Sequence, residues 1–437
     1  MKGLYRCKRY FYLLPFLFIS TLTLMMGTGP GCFETSLMVR RMLLDQNLNN
    51  TCKLLKCRSE EDCKNIKEEN QLRFQKLQSD ILSNRCYSIL SRVKHGTPEE
   101  LEVPLSFSIL AHRDFQQLFN LLEAVYRPHN LYCIQLDSKS DAAFVKQVSL
   151  LVQCLSEVHN NIFISKKSIS LIWQHSSLLE GDLLALQQLL EFPHNWQYYV
   201  NIVGSEFVLI SNSELVRKLK TVRNNIGFVD IQFPHSQVQD RWKYSYELTK
   251  GAESGKADTT LFGSYYKNVP RVTSSLKSLP PKNLTIMYGI KNVAISRKFA
   301  DYVINDELSK ELRVWLKDVL VAVEHFYPTL ATVFIKNINY NSNINNNNST
   351  ENLKQIPFQD FSFNKDLVEF QMRKTFWLNS DHYCYGQIRR EICVLSLLDL
   401  PAILQEKGFV MNKFDSDLDP SVVTCLNEMI YGLDKEA

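Results

Sequence analysis

The stretch from Leu105 to Asp137 reads LSFSILAHRDFQQLFNLLEAVYRPHNLYCIQLD. Leu105–Ala111 is a short apolar run that stops at the polar His112-Arg113-Asp114 and reads as a buried strand. From Phe115 to Tyr126 the Leu and Phe positions recur at helical spacing, and Leu131–Asp137 repeats the strand signature, ending in an acid. Strand, helix and strand in one continuous stretch point to a parallel α/β sheet. The alternation continues outward with a helix over Asp141–Leu155, a strand at Ile162–Ile164 and a helix around Leu178–Leu190. Then come a strand at Tyr198–Val203, a short helix over Ser213–Lys220 and a strand near Ile226–Ile231. The polar span His235–Lys282 reads as an excursion or loop. The tract 337–348, with eight Asn in twelve positions, can bury nothing and reads as a surface insertion, taken to extend over about 337–350. A final ordered section is expected from Phe358 to Tyr431.

The whole chain has 437 residues, enough at ~150 per domain for one large or two ordinary domains. Its 50 Lys and Arg against 46 Asp and Glu leave a net charge of +4, which is no electrostatic footprint for nucleic acid. With 25 Phe and 19 Tyr against 15 Gly and 14 Pro, most of the chain should fold. Eleven cysteines are an unusual load for a reducing compartment, and an odd number cannot all pair within one chain.

The first residues supply the compartment. Lys2, Arg6, Lys8 and Arg9 precede an apolar run from Tyr10 to Met26, and positive charge on that flank is held in the cytosol. We read residues 1–9 as a cytosolic tail, 10–26 as a transmembrane signal anchor, 27–100 as a lumenal stem and 101–437 as the catalytic domain. A cleaved signal peptide is the alternative; the anchor is favoured because the run exceeds the usual h-region of roughly 7–15 residues. Both deliver the chain to the secretory pathway. Sequons at Asn49, Asn283, Asn347 and Asn348 agree, with Asn49 and Asn283 as the candidates for glycosylation.

Generic motifs exclude much: there is no Gly-x-Gly-x-x-Gly, P-loop, His-Glu-x-x-His, zinc-style cysteine spacing or nucleophile elbow. Ligands of open α/β sheets bind beyond the carboxyl ends of the strands, so Asp137 is placed to accept hydrogen bonds from a ribose or base; a helix N-cap is the equal alternative. Arg389-Arg390 and Lys413 each set a cation beside an apolar stretch, where a pair could neutralise a diphosphate or stand as surface charges.

Several segments together resemble the core-2/I-branching β-1,6-N-acetylglucosaminyltransferase family, which also includes the peptide O-xylosyltransferases. They are Ser108–Asp114, Leu121–Lys139, Trp196–Phe207, Glu214–Leu219, Cys384–Val394, Asn412–Pro420 and Cys425–Glu428, in order along roughly 86 to 431. The resemblance implies a GT-A type fold with a mixed, mostly parallel sheet flanked by helices. It also implies a single-pass type II protein of the Golgi membrane, its catalytic domain lumenal. Such enzymes transfer a sugar from a UDP-sugar with inversion and without a metal, and Asp137-Ser-Lys indeed stands here in place of Asp-x-Asp. Ala111 and Asp137 would line the nucleotide-sugar site, and Arg390 and Lys413 would hold the diphosphate.

Inversion needs one general base to take the acceptor's proton. The family's Ser-Pro-Asp-Glu-His-Phe-Trp-Ala-Thr-like stretch reads Val321-Ala-Val-Glu324-His-Phe-Tyr-Pro-Thr329 here, so Glu324 aligns with the base; a solvated helix-face acid is the alternative. The Ser-Pro-Asp has become Val-Ala-Val and the Trp-Ala has become Tyr-Pro. Arg241, in Arg241-Trp242-Lys243, and Asp230 are carried over to the acceptor side. Trp377 is a candidate for stacking on a sugar, with a core position as the alternative. The family's Gly-Ser-aromatic segment before Ser-Arg becomes Gly289-Ile-Lys-Asn ahead of Ser296-Arg297.

The resemblance further implies bridges Cys384–Cys393 and Cys86–Cys154, and one between Cys425 and Cys52 or Cys57. Cys133 matches a family cysteine whose partner position is Ala185, leaving it free or paired elsewhere. Cys7, in the basic flank, would stay cytosolic and reduced. The implied reaction takes GlcNAc from UDP-GlcNAc to a Gal or GalNAc acceptor of a glycoprotein O-glycan in a β-1,6 branch. No metal or other cofactor is expected; a homodimer is left open. The alternatives are another UDP-sugar transferase, such as a xylosyltransferase, and a catalytically impaired lumenal glycan-binding pseudoenzyme.

Overall fold

Two helices, α1 (Leu82–Arg92) and α2 (Pro98–Glu102), precede the first strand in the computed structural model, which describes residues 82–92, 96–222, 226–250, 268–345 and 370–436. α1 belongs to the segment read as stem, yet Cys86 bridges it to Cys154 and Ser88 Oγ donates to Glu123 Oε1 at 2.7 Å. The folded body therefore reaches at least ten residues upstream of where the apolar pattern begins, because α1 buries only a narrow face carrying Cys86 and Ile89. The proposed anchor at 10–26, and Asn49, lie outside the described residues. Among the described residues no helix is long and apolar enough to cross a membrane.

The strand, helix, strand unit forms as β1 (Leu105–Ala111), α3 (Phe115–Val125) and β2 (Leu131–Leu136), followed by α4 (Ala142–His159), β3 (Ile162–Ile164), α5 (Ser177–Glu191) and β4 (Tyr198–Val203). Every residue of β1 and β2 is buried, as expected of strands covered on both faces. Asp114 starts α3 by accepting from Gln117 N at 3.0 Å, and Asp141 starts α4 through Phe144 N at 2.8 Å. Next come β5 (Glu206–Val208), α6 (Asn212–Thr221), β6 (Gly227–Phe228), α7 (Ser236–Lys243), β7 (Tyr244–Lys250) and β8 (Asn268–Leu276). Then β9 (Ala294–Ser296), α8 (Arg297–Asn305), α9 (Glu307–Trp315) and α10 (Val323–Asn345) lead to β10 (Gln371–Thr375), β11 (Gln387–Arg389) and β12 (Ile392–Val394). The chain ends with α11 (Leu400–Ile403), β13 (Gly408–Asn412) and α12 (Ser421–Glu436).

The main sheet has the order β3-β2-β1-β4-β9-β6. β3, β2, β1 and β4 run parallel, while β9 is antiparallel to both β4 and β6, so the sheet is mixed and parallel-rich with helices flanking it. A smaller sheet, β10-β13-β5, sets Asn412 opposite Glu206. One core layer contains Leu183, Leu186, Trp196, Tyr199, Phe299, Phe326 and Tyr327, which packs α5, α8 and α10 together.

Two polar stretches differ from their reading. The excursion 235–282 holds α7 and the antiparallel β7–β8 hairpin; a ribbon outside the main sheet shows little apolar alternation for a reader to find. The Asn-rich tract continues α10 as far as Asn345 instead of leaving the helix at 337. A helix nucleated by a buried face gains one hydrogen bond for each residue added, which outweighs the modest propensity cost of Asn.

Candidate active site

The end expected to take a nucleotide lies where β1 and β2 stop. Asp137 N donates to Ala111 O at 3.0 Å, so the two strand-end residues named above are neighbours. The Asp137 carboxylate accepts from Lys139 Nζ at 2.8 and 3.0 Å and from Lys139 N at 2.9 Å. Lys139 Nζ also reaches Leu171 O at 2.7 Å. Asp137 thus shapes the turn beyond the strand, and the α4 cap is supplied by Asp141, not Asp137. Next to Ala111, burial and the charge of Arg113 push His112 below the usual histidine range.

The cations come from two other places. Arg389 pairs with Ile392, so β11 and β12 join through a two-residue turn made of Arg390 and Glu391. Both turn residues have positive φ (53° and 62°), a conformation that normally selects Asn-Gly. The turn is backed by the Cys384–Cys393 bridge, and the Arg390 guanidinium lies over the Trp173 ring at 4.9 Å. Lys413 follows β13, its carbonyl accepting from Leu395 N at 2.9 Å. Burial, then the charges of Arg390, Arg113 and Arg389, pull Lys413 down to about 8, with Asp415 opposing. Burial and Arg113 likewise lower Arg390. Arg113 and Arg389 both pair with Asp415, two residues after Lys413, and Arg390 follows Arg389 in the turn, which brings the four cations into one region.

The end that carries Glu324 is built by α10. Glu324 sits in its first turn and accepts from Arg241 Nη1, on α7, at 2.7 Å; Leu320 N donates to Arg241 O at 3.0 Å and fixes the two segments. The following residues turn inward. His325 is fully buried against Trp242, its Nδ1 3.1 Å from Met287 O, and burial pushes it to about 3. Tyr327 OH donates to Asp182 Oδ2 at 2.5 Å, and Thr329 Oγ1 accepts from Met287 N at 3.0 Å. Asp182 also accepts from Ser108, Tyr199 and Asn201, which anchors α10 to the sheet. Pro328 cannot donate back to Glu324 O, and that carbonyl accepts from Gly289 N at 2.9 Å instead. A Cβ on Gly289 would come within 2.0 Å of Asp230 O, so the glycine permits this approach and sets Asp230 beside the segment that carries Glu324. Asp230 Oδ2 itself accepts from Ile290 N at 3.1 Å.

The two ends meet at consecutive residues. Trp173 carries Arg390, while the carbonyl of Gln174 accepts from Val321 N at 2.7 Å, three residues before Glu324. Val321 has φ of 55°, strained for a β-branched residue, as backbone near functional groups often is. Trp173, Gln174, Arg113 and Asp415 were not singled out from sequence, and Arg389 was noted only alongside Arg390. Their only signal was the His-Arg-Asp directly after a strand end.

The remaining candidates fall as follows. Trp377 bridges to Ile392 and is 47% exposed, so it is a surface residue and not a core one. Asn283 is exposed at the end of a 3₁₀ turn. Cys425 is disulfide-bonded, while Cys52 and Cys57 lie outside the described residues. Among the described residues Cys133 is a free cysteine; it is buried in the same core layer as Ala185. No group of three His, Cys, Asp or Glu side chains among the described residues is arranged to hold a metal ion.

A parallel-rich sheet whose strand ends face a cluster of cations, with an arginine-held carboxylate nearby, is the arrangement of an α/β enzyme acting on an anionic substrate. The model of the Core-2/I-Branching enzyme family matches residues 105–398, and the chain belongs to that family. The chain is 30% identical over 344 residues to Beta-1,3-galactosyl-O-glycosyl-glycoprotein beta-1,6-N-acetylglucosaminyltransferase 3 of Mus musculus, covering 76% of this chain and 69% of the relative. It is 27% identical over 355 residues to the corresponding enzyme 4 of Danio rerio, covering 79% and 74%. An enzyme of the same activity name in Bovine herpesvirus 4 is 29% identical over 334 residues, covering 76% and 69%. The chain is a glycosyltransferase.

Proposed function

We propose that this glycosyltransferase moves GlcNAc from UDP-GlcNAc to a Gal or GalNAc acceptor in a β-1,6 branch of glycoprotein O-glycans, with inversion and without a metal. The observation that carries the reading is the Trp173–Gln174 junction, which ties the cation Arg390 to the segment bearing Glu324. Arg390 and Lys413 hold the diphosphate and stabilise the charge it gains as its bond to the sugar breaks. Glu324 is the base. Arg241 fixes its Oε2, and among the described residues Oε1 meets no donor and is left for an acceptor hydroxyl. The hydroxyl oxygen attacks the anomeric carbon opposite the departing UDP, and its proton passes to Glu324.

Ala111 and Asp137 line the nucleotide side, Asp230 and Trp377 the acceptor side, in a GT-A type fold. The N-terminal segment anchors the chain in the Golgi membrane, and the disulfides fit that oxidising lumen.

The test is a panel of UDP-sugars with galactosyl-β-1,3-GalNAc and other acceptors in EDTA. Transfer of GlcNAc to the core-1 disaccharide at undiminished rate is expected. Transfer of xylose alone would replace the donor, an absolute Mn²⁺ requirement would remove the metal-independent role of the cations, and UDP binding without any transfer would make the chain a glycan-binding pseudoenzyme.

A further inference from the structure

Asp415 accepts from two arginines on one oxygen. Its Oδ2 lies 2.9 Å from Arg113 Nη2, on the loop after β1, and within hydrogen-bond reach of Arg389 Nη1, at the end of β11. The Asp415 side chain is 2% exposed, whereas those of Arg113 and Arg389 are 47% and 34% exposed. The carboxylate is therefore sealed beneath two guanidiniums that stay open above. One residue on, Ser416 N donates to Asp114 Oδ2 at 2.8 Å and Ser416 Oγ to Asp114 Oδ1, so residues 113–114 and 415–416 are stitched twice. Arg389 spends Nε on Gln387 Oε1 at 3.0 Å, and the other guanidinium N–H groups of Arg113 and Arg389 meet no acceptor among the described residues. Lys413 also lies near this carboxylate, and Arg390 lies near Arg113.

We propose that Asp415 is a positioning residue for a cradle drawn from three loops, and that Arg113 and Arg389 bind the nucleoside diphosphate beside Arg390 and Lys413. This rests on the donor assignment above and deepens it. Guanidiniums held by a carboxylate on one side present their remaining N–H forks to the opposite side, where phosphate oxygens accept them pairwise.

The experiment uses the full chain with Arg113→Ala, Arg389→Ala, their combination and Asp415→Asn. UDP and inorganic pyrophosphate binding are measured by calorimetry, uridine binding by ligand-observed NMR, and Tm for each variant. Each arginine variant should bind UDP and pyrophosphate about tenfold more weakly, the price of one charge-assisted pair, with uridine unchanged. Asp415→Asn adds net positive charge, so a purely electrostatic role predicts tighter binding. A positioning role predicts weaker UDP binding and a raised donor KM with the acceptor KM unchanged. Arg113→Lys and Arg389→Lys, which keep the charge but lose the fork, should recover part of the affinity and guard against misfolding. Unchanged pyrophosphate affinity in the arginine variants, equal losses for UDP and uridine, or tighter binding by Asp415→Asn would overturn the proposal. Absent GlcNAc transfer with cradle-dependent pyrophosphate binding would instead count against the donor and acceptor assignment alone.

Discussion

Arg241 and Glu324, 83 residues apart, meet at 2.7 Å between Nη1 and Oε2, and both side chains remain partly open to solvent. The pairing holds one carboxylate oxygen and leaves the other. Glu324→Gln keeps the shape and removes the proton acceptor, so kcat should fall by about 10³-fold with UDP affinity unchanged. Retention of full transfer in this variant would remove Glu324 from the base position.

As a proposed diphosphate ligand, Lys413 should give donor binding a pH limit. Its ammonium, lowered to about 8 by burial and by Arg390, Arg113 and Arg389, is charged below that pH and neutral above it. Donor KM should rise as pH climbs through about 8, and Lys413→Arg should abolish that rise. The stability effect has the opposite sign: above about 8 the folded chain binds fewer protons than the unfolded one, so this group's contribution becomes more favourable with rising pH. A donor KM flat from pH 7 to 9.5 in the unaltered protein would remove Lys413 from the diphosphate.

Asp182 is a stability prediction. Four donors, Ser108, Tyr199, Asn201 and Tyr327, converge on its buried carboxylate. Tyr327→Phe removes one donor and should cost about 1–2 kcal/mol, whereas Asp182→Ala strands all four and should cost more than about 3 kcal/mol. Urea unfolding checks both, and equal costs would show that the donors find other partners.

The Cys384–Cys393 bridge closes a short loop, worth about 2–3 kcal/mol in the chain-entropy account. Because the loop carries Arg389 and Arg390, replacing both cysteines with Ala should raise donor KM several-fold and leave acceptor KM alone. Steady-state kinetics with each substrate varied separately decides this, and an acceptor effect of equal size would place the loop elsewhere.

The parallel half of the fold was legible because β1 and β2 are buried on both faces and read as continuous apolar runs. β9 was not read as a strand: three residues, Ala294–Ser296, are too few to set a period. Glu324, Arg390 and Lys413 were nominated through ordered motifs along the chain. Arg113 and Asp415 were not, since their relation exists only after residues 302 apart are folded together. Trp173 sits in a span with no helical or strand period, so nothing local marked it. Pro328 looked like a disruption of the base motif, and only the Gly289 hydrogen bond shows how the helix accommodates it.

The turn at Arg390 and Glu391 has a consequence for engineering. A designer seeking a more heat-resistant variant would replace this pair with Asn-Gly, the dipeptide that fits two positive φ values without strain. That change should raise Tm while erasing a cation from the proposed donor site. Screening for thermal endurance alone would thus select against turnover at this position, and any stabilised library of this enzyme should hold residue 390 fixed.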